Sequence, residues 1–305
     1  MSRLLARLAS TAGALLAVLV TVFLLVRVLP GDPVEVMLGE RASGADRAAL
    51  VAQLGLERPL PAQLGDYLLG LARLDLGHSL RYHEPVTTLI GARLPATLEL
   101  AGAALALAVA LALPLGIVMA VRAGRLAGRL AGTLTLLGMA LPGFWFGPLL
   151  ILLFAVQLGW LPVAGREGFA SLALPALTLA LGLAATLARQ LAANLAEMLA
   201  AEHVRTARAK GLPPGQVLWR HGVRNALLPV ATVFGLQVGA LLGGAVITET
   251  VFAWPGLGAL TVEAIGARDY PLLQGCVLLI AGVYVLVNGL TELAYGWIDP
   301  RVRRP

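Results

Sequence analysis

Six stretches of this chain contain no charged residue, and each is long enough to cross a lipid bilayer. A transmembrane helix needs about 20 mostly apolar residues to cross about 30 Å of hydrocarbon. The chain is 58% hydrophobic and 13% charged, well below the roughly 25% of charged residues in soluble domains. The sequence therefore predicts an all-α membrane protein with six transmembrane helices, over residues 8–26, 100–121, 130–165, 168–188, 225–248 and 270–291.

The third stretch is long enough to need a separate interpretation. Pro142, Pro148 and Pro162 interrupt it. Proline lacks a backbone N–H and breaks or kinks a helix. We therefore expect one span followed by an irregular exit, rather than two spans.

The arginine-rich links predict the orientation of the chain. They all fall on one side of the membrane when six spans are threaded alternately: before the first span (Arg3, Arg7), between spans 2 and 3 (Arg122, Arg125, Arg129), between spans 4 and 5, and after the last span (Arg301, Arg303, Arg304). Cytoplasmic links carry an excess of Lys and Arg. Both termini are therefore predicted to lie in the cytoplasm.

The longest link, residues 28–95, falls on the opposite side. It opens with Leu29-Pro30-Gly31-Asp32-Pro33, where Asp32 can cap a helix that has proline in its first turn. Helix-periodic apolar patterns follow at residues 46–54 and 61–74. We predict a small external helical cap at 28–95, within one transmembrane domain over residues 1–305.

The link between spans 4 and 5 concentrates positive charge. Residues 205–229 carry five Arg or Lys side chains and no acidic one, and they include Lys210, the single lysine of the chain. Residues 202–212 are predicted to be helical, Pro213-Pro214-Gly215 to stop that helix, and residues 216–225 to form further helix. Attraction to anionic lipid would explain the charge alone. The small residues between the charges also suit insertion of this helix into a cleft of a partner protein.

Several motifs together carry a resemblance to a known family. RTARAKGL at Arg205 and RHGVRNALLP at Arg220 lie in the basic link. In their order along the chain, the others are LPGDP, LGHSLR, RLPATLELA, LPGFWFG, LGWLPVAG, ETVFAWPGLG and RDYP, which begin at residues 29, 76, 93, 141, 158, 249 and 268. This set resembles the permease subunits of binding-protein-dependent ABC importers of the dipeptide, oligopeptide and nickel type. Arg205 and Thr206 replace the acidic residue and first alanine of the general EAA pattern.

The resemblance implies a fold, a function and partners. It implies a type I ABC importer permease in the bacterial inner membrane, which forms half of a pathway for short peptides beside a homologous second permease. Two ATPase subunits and an extracytoplasmic substrate-binding protein would complete the importer. The ATPase-coupling helix would be formed by Arg205, Thr206, Ala207, Arg208, Ala209, Lys210, Gly211 and Leu212. Nickel or another small solute is the alternative substrate.

The chain is not expected to be an enzyme or to bind a cofactor. It contains no Gly-x-x-x-x-Gly-Lys-[Ser/Thr] motif, so ATP would be used by the partner ATPases. We expect no metal site, because His78 and His83 bring no further ligand, and structural hydrogen bonds for His203 and His221. A self-sufficient secondary transporter is the less favoured alternative, since it would place ionisable groups or broken helices at mid-membrane.

Six residues are candidates for the transport pathway or its gate. Pro142 can break the third span and open space beside Phe144 and Trp145, although a packed proline kink would look the same in sequence. On the outer side, the candidates are Glu249, Trp254 in a Trp-Pro-Gly turn, and Asp269 as a helix N-cap. Glu249 and Arg189 lie near the ends of predicted spans, where their side chains can reach the interface.

Overall fold

The structure, a computed structural model, describes residues 12–24, 44, 48, 51, 52 and 57–298, and the side chains of these residues except at 242 and 292–298. Within that part of the chain, helices account for all the regular structure except one isolated bridge between His78 and Pro85. The α-helices are α1 (Ala12–Leu24), α2 (Leu60–Ala72), α3 (Val86–Val121), α4 (Leu126–Ala140), α5 (Gly143–Leu150), α6 (Phe169–Ala200), α7 (Glu202–Ala209), α8 (Pro214–Gln216), α9 (Arg224–Val251), α10 (Leu257–Gly266) and α11 (Tyr270–Ile298). Two π-helical segments, π1 (Ile151–Gln157) and π2 (Val217–Val223), follow α5 and α8.

Four helical segments are long and apolar enough to cross a membrane, and a fifth span is possible if α4 and α5 with π1 count as one. The four are α3, α6, the run that begins at α8 and continues into α9, and α11. α1 covers 13 residues of the first predicted window, fewer than the about 20 that a span needs. The described residues therefore confirm four or five of the six predicted spans. The LPGDP motif, the candidate cap Asp32 and the arginines at both termini lie outside them.

The third predicted span is broken at Pro142. α4 ends at Ala140, Leu141 is extended, and α5 begins after Pro142 and continues into π1 at an angle of 108° to α4. A residue before proline is pushed out of the helical region, which explains the extended Leu141. The irregular exit is observed only from Leu158 onwards, so a second helical segment lies between the break and the exit. α4, with 15 residues, rises only about 22 Å, less than the thickness of the hydrocarbon.

The chain divides into two compact units. One contains residues up to Thr97 together with Pro255–Val285. Its core joins the start of α3, α10 and the start of α11 through Val86, Leu260, Leu272 and Cys276. α3 begins at Val86, 14 residues before the predicted span, so the last ten residues of the predicted outer link are helical. α2 confirms the helical pattern predicted at 61–74, and residues 48, 51 and 52 of the other pattern are helical.

The second unit contains Leu98–Trp254 and the chain from Leu286 onwards, and α6 forms its centre. Small side chains on α6 allow its neighbours to approach closely. Ala184 and Ala188 are buried, and a Cβ added at Gly116 of α3 would lie 2.8 Å from the carbonyl oxygen of Ala188. Close approach of this kind suits membrane helices, whose association depends on packing rather than on the hydrophobic effect.

Candidate functional site

The basic link contains a short helix that is separate from the long helix before it. A single extended residue, Ala201, ends α6 and begins α7. Glu202 in the first turn and Arg208 in the last turn of α7 carry the charges that each end of a helix dipole favours. The predicted helix over 202–212 is therefore observed as Glu202–Ala209, three residues shorter.

A Schellman motif stops α7. The N–H of Leu212 donates to the carbonyl oxygen of Ala207 at 3.3 Å, and the N–H of Gly211 donates to that of Arg208 at 2.9 Å. Gly211 has φ +78°, a conformation that costs side-chain-bearing residues about 1–2 kcal/mol. No atom would lie within 4 Å of a Cβ added at Gly211. Within this chain, glycine is thus needed at 211 for its backbone conformation rather than for space.

One face of α7 packs against its own chain. Val204 and Ala207 are buried in a small cluster with Val217 of π2, and Leu199 and Leu212 pack against that cluster. The opposite face exposes Glu202, Arg205, Thr206 and Ala209. Of the small residues that the sequence placed between the charges, Ala207 therefore faces inward and Ala209 faces outward. The structure orients α7 firmly while leaving one face of it uncovered by the described chain.

The exposed face of α7 carries only weak internal contacts. Arg205 Nη1 donates to Glu202 Oε1 at 3.0 Å, and both side chains are at least 80% exposed. The Thr206 hydroxyl donates to the carbonyl oxygen of Glu202 at 3.0 Å. An exposed ion pair three residues apart on a helix contributes no more than a few tenths of a kcal/mol. These groups are therefore available to a partner at little cost.

π2 lies within the basic link and continues into α9. Gly222 of π2 lies close to α6, since an added Cβ would be 3.0 Å from Leu195 Cδ1 and 3.1 Å from Leu199 Cδ2. His203 Nε2 lies 3.5 Å from the carbonyl oxygen of His221, to which the Asn225 amide also donates at 2.9 Å. The structural hydrogen bond expected of His203 is thus observed at the limit of hydrogen-bond distance, and at His221 the accepting group is the backbone carbonyl oxygen rather than the ring.

A groove runs along α6 beside α4 and α9. Two cavities of about 340 and 240 Å³ form it, and they share Leu179, Gly182 and Gly244 in their linings. The first also contacts Thr186 and Gln237, and the second contacts Thr178 and Thr248. The linings of both cavities consist of apolar residues, glycines and these four neutral polar residues.

Of the three candidate pathway residues near the helix break, one lines this groove and one lies beside it. Phe144 lines the second cavity, and Pro142 lies between Leu141 and Gly143, which also line it. Trp145 is 52% exposed and is absent from both linings. The groove itself, with Gly182 of α6 and Gly244 of α9 in both linings, was not anticipated from the sequence.

Glu249 and Trp254 lie inside the protein. Both side chains are fully buried, so the expectation that Glu249 reaches the membrane interface is wrong. The N–H of Trp254 donates to the carbonyl oxygen of Glu249 at 2.8 Å. The Arg166 guanidinium lies 6.0 Å from the Trp254 ring and pairs with Glu99, at 2.6 Å between Nη2 and Oε2. These contacts give Trp254 a structural role at the end of α9.

Asp269 caps α11, as predicted, and it also fastens a distant turn. Its Oδ1 accepts from the N–H of Leu272 at 3.1 Å. Its Oδ2 accepts from the Ser79 hydroxyl and from the N–H of Arg81 at 3.2 Å. Ser79 and Asp269 are both buried. The sequence contained no signal for this pairing, because 190 residues separate the partners.

A second polar contact lies in the same unit. The Tyr82 hydroxyl donates to Glu263 Oε2 at 3.0 Å, and Arg93 Nη2 lies 4.0 Å from the same oxygen. Burial of the phenol, with a smaller contribution from the Glu263 carboxylate, raises the pKa of Tyr82 above its ordinary value. Across the described residues, no group of three His, Cys, Asp or Glu side chains could hold a metal ion.

Comparison with known proteins identifies the family. Residues 112–304 match the family described as binding-protein-dependent transport system inner membrane component, and residues 1–101 match the N-terminal region of such membrane components. The chain is 41% identical to the di/tripeptide transport system permease protein DppB of Pseudomonas aeruginosa, over 92% of both chains. It is also 41% identical to the glutathione transport system permease protein GsiC of Pectobacterium atrosepticum, over 97% of both.

Solved structures agree on the fold. The inward-facing MetNI methionine ABC transporter superposes with a TM-score of 0.60, over 70% of this chain and 97% of that chain, at 18% identity. An amino acid ABC transporter crystallised with histidines gives a TM-score of 0.54, over 68% and 94%, at 17% identity. At such identities the similarity establishes the fold alone. With two family matches that together cover almost the whole sequence, the chain belongs to the family of binding-protein-dependent transport system inner membrane components.

Proposed function

We propose that this chain is the permease subunit of an ABC importer for short peptides, and that α7 couples it to a separate ATPase. The substrate class is supported by two relatives, each 41% identical, that are named as permeases of a di/tripeptide and of a glutathione transport system. The coupling role rests on one observation. α7 is held by buried Val204 and Ala207 and by a Schellman stop, while its opposite face is exposed.

Coupling requires a helix that moves with the membrane helices. α7 meets that requirement, because Ala201 joins it directly to α6 and its buried face packs on π2, which continues into α9. A push on the exposed face of α7 would therefore reach two membrane-crossing helices through packed side chains. Packed interfaces of this kind switch between discrete arrangements rather than deforming continuously.

The remaining partners follow from the same function. A chain that lacks a phosphate-binding Gly-Lys loop must receive the energy of ATP from elsewhere. Two ATPase subunits, a homologous second permease and an extracytoplasmic substrate-binding protein complete the proposed importer. The basic link and both termini lie in the cytoplasm in this proposal, because the arginine-rich links are all on that side. Alternating access would then expose the groove of α6 first to one side of the membrane and then to the other.

The docking role is tested by adding bulk to the exposed face of α7. Ala209→Trp leaves the buried Val204 and Ala207 contacts intact but separates the helix from any groove that receives it. We expect the variant to accumulate normally in the membrane, to lose co-purification of the ATPase, and to lose ATP-dependent peptide uptake. Leu69→Trp is the matched control, because Leu69 is also an exposed helical position and lies in the predicted external segment.

Three outcomes would contradict parts of the proposal. ATPase binding and uptake by Ala209→Trp at wild-type levels would remove the coupling role of this face. Robust uptake by the subunit without any ATPase would favour a self-sufficient transporter. Uptake of Ni²⁺ without uptake of any peptide would leave the coupling role intact and change the substrate class.

A further inference from the structure

Arg189 lies on the face of α6 that borders the groove. Gly182, Thr186 and Arg189 are spaced four and three residues apart, so they share one face of the helix. Gly182 and Thr186 line the larger cavity. Arg189 Nη1 lies 3.9 Å from the sulfur of Met139, which lines the same cavity. The guanidinium is therefore at one end of the groove.

No acidic side chain neutralises this guanidinium within the described residues. Its recorded polar contact there is the one with the Met139 sulfur, and the ion pairs observed there all involve other arginines. The groove lining adds neither an acidic nor a basic side chain. The groove is therefore electrically neutral along its length and positive at the Arg189 end.

The position of Arg189 agrees with the one that the sequence suggested, because the helix from Phe169 to Arg189 already rises about 30 Å, the thickness of the hydrocarbon. The charge-free window ends at Ala188, which placed Arg189 at the edge of a span. In the structure α6 continues for 11 residues beyond it, to Ala200, or about 16 Å. An arginine at the end of a span can reach the interface or face a water-filled cavity. Here the exposed guanidinium borders a cavity whose lining contains no acidic side chain.

The size of the groove fits a short peptide. Thr178 at one end and Arg189 at the other are 11 residues apart on α6, again about 16 Å. A di- or tripeptide extends over about 7–10 Å at about 3.4 Å per residue, so it fits in this length. Thr186 already donates its hydroxyl proton to the carbonyl oxygen of Gly182 at 2.9 Å, so its oxygen can accept from a peptide N–H.

We propose that Arg189 binds the C-terminal carboxylate of the peptide as it passes along the groove. Guanidinium and carboxylate can form two parallel hydrogen bonds, and such charge-assisted pairs are the strong ones. The proposal rests on the function proposed above, because it takes a peptide as the substrate. A phospholipid phosphate offers the same anionic chemistry, and the experiment distinguishes the two sources.

The test uses the complete importer in proteoliposomes, with binding protein saturated by one of two dipeptides. One dipeptide has a free C-terminal carboxylate, and the other is the same dipeptide with a C-terminal amide. In Arg189→Gln, uptake of the free acid is expected to fall roughly tenfold, the effect of losing one charged hydrogen-bonding partner. Uptake of the amide should stay within twofold of wild type. Arg189→Lys, which keeps the charge but not the two parallel hydrogen bonds, should restore part of the uptake of the acid. Arg125→Gln, which removes an exposed arginine elsewhere, should change the uptake of neither peptide.

Each alternative has its own result. Equal losses for acid and amide, present with anionic lipid and absent in phosphatidylcholine vesicles, would show that Arg189 binds lipid and would overturn the subsite. Unchanged uptake of both peptides by Arg189→Gln would overturn it as well. Failure of the wild-type importer to take up either dipeptide would instead contradict the peptide-transport function itself.

A second measurement does not depend on transport. Thr186→Cys in a Cys276→Ser background places a thiol on the groove side of α6, next to Arg189. The rates at which an anionic and a cationic methanethiosulfonate reagent label this thiol are measured. With Arg189 present, the ratio of the anionic to the cationic rate should be several times higher than in the Arg189→Gln variant. An unchanged ratio of the two rates would show that Arg189 does not act on the groove, and would overturn the proposal even if the variants failed to transport.

Discussion

Gly211 is the residue at which α7 ends, and its backbone conformation determines how sharply it ends. Its φ of +78° is required by the two Schellman hydrogen bonds, from Gly211 to Arg208 and from Leu212 to Ala207. Asparagine tolerates the left-handed region, whereas β-branched residues rarely adopt it. Substitutions at Gly211 can therefore distinguish the effect of backbone conformation on coupling from the effect of side-chain size.

We predict that Gly211→Asn keeps most ATPase coupling and that Gly211→Val loses it. Valine should raise the free energy of this turn by about 1–2 kcal/mol, because it disfavours the positive φ. The turn positions Leu212 against the buried cluster of Val204, Ala207 and Val217. ATPase co-purification at equal subunit abundance would measure the difference. If Asn and Val impair coupling equally, side-chain size at a docking surface, rather than φ, is the property under constraint.

At the scale of the element, the three basic residues at α7 lie at different angles to its buried face, so we expect them to contribute differently to docking. At about 100° per residue, Arg205 lies about 130° from the inward direction defined by Val204 and Ala207. Lys210 lies about 90° from it, and Arg208 about 70°. Arg205 is thus nearest to the centre of the exposed face, and Arg208, although three residues away, is nearer to its edge.

We therefore expect the change to glutamine to weaken ATPase co-purification most at Arg205, less at Lys210 and least at Arg208. The largest loss should be about 1 kcal/mol, as for a charge at a partly hydrated interface. Co-purification at two salt concentrations would measure it. Small and equal losses at all three positions would instead support a basic patch that attracts lipid.

A pair of glycines on α3 tests how closely this helix packs against α6. A Cβ added at Gly116 would lie 2.8 Å from the backbone oxygen of Ala188, whereas no atom would lie within 4 Å of one added at Gly102. We predict that Gly116→Ala destabilises the subunit by about 1–3 kcal/mol, because backbone must move. Gly102→Ala should be neutral or should stabilise by up to about 1 kcal/mol, through helix propensity. Thermal unfolding in detergent compares the two, and equal shifts would contradict the close approach.

At the scale of the whole molecule, the distribution of arginines predicts which links face the cytoplasm. Cys276 is the single cysteine and is buried, so a Cys276→Ser background allows single labelling sites. We expect an impermeant thiol reagent, added outside intact cells, to label Leu69→Cys and not Gln216→Cys. Both positions are exposed helical residues. The reverse pattern would invert the topology.

How much of the molecule the sequence could predict depended on the range of the interactions involved. Charge-free windows located the long helices, because desolvation of charge is a local property of a segment. Local rules likewise anticipated the break at Pro142 and the cap at Asp269. The stop predicted at Pro213-Pro214-Gly215 lies earlier in the structure, at the Schellman turn of Gly211. The inward direction of Ala207, the burial of Glu249 and the groove beside Arg189 depend on which helices meet. No single stretch of sequence contains that information.

The turn that contains Ser79 and Arg81 has a consequence for proteolysis. Arg81 has an exposed side chain, but its N–H is bonded to Asp269, and the N–H groups of Tyr82 and His83 are bonded to Ser79. A protease must draw several residues into its cleft in extended form, so cleavage occurs only when a segment opens locally. The Arg81 side chain is accessible to trypsin, but the bond after it cannot be cleaved until the hydrogen bonds from this turn to Asp269 break. The rate of cleavage after Arg81 would then measure how often this turn opens locally.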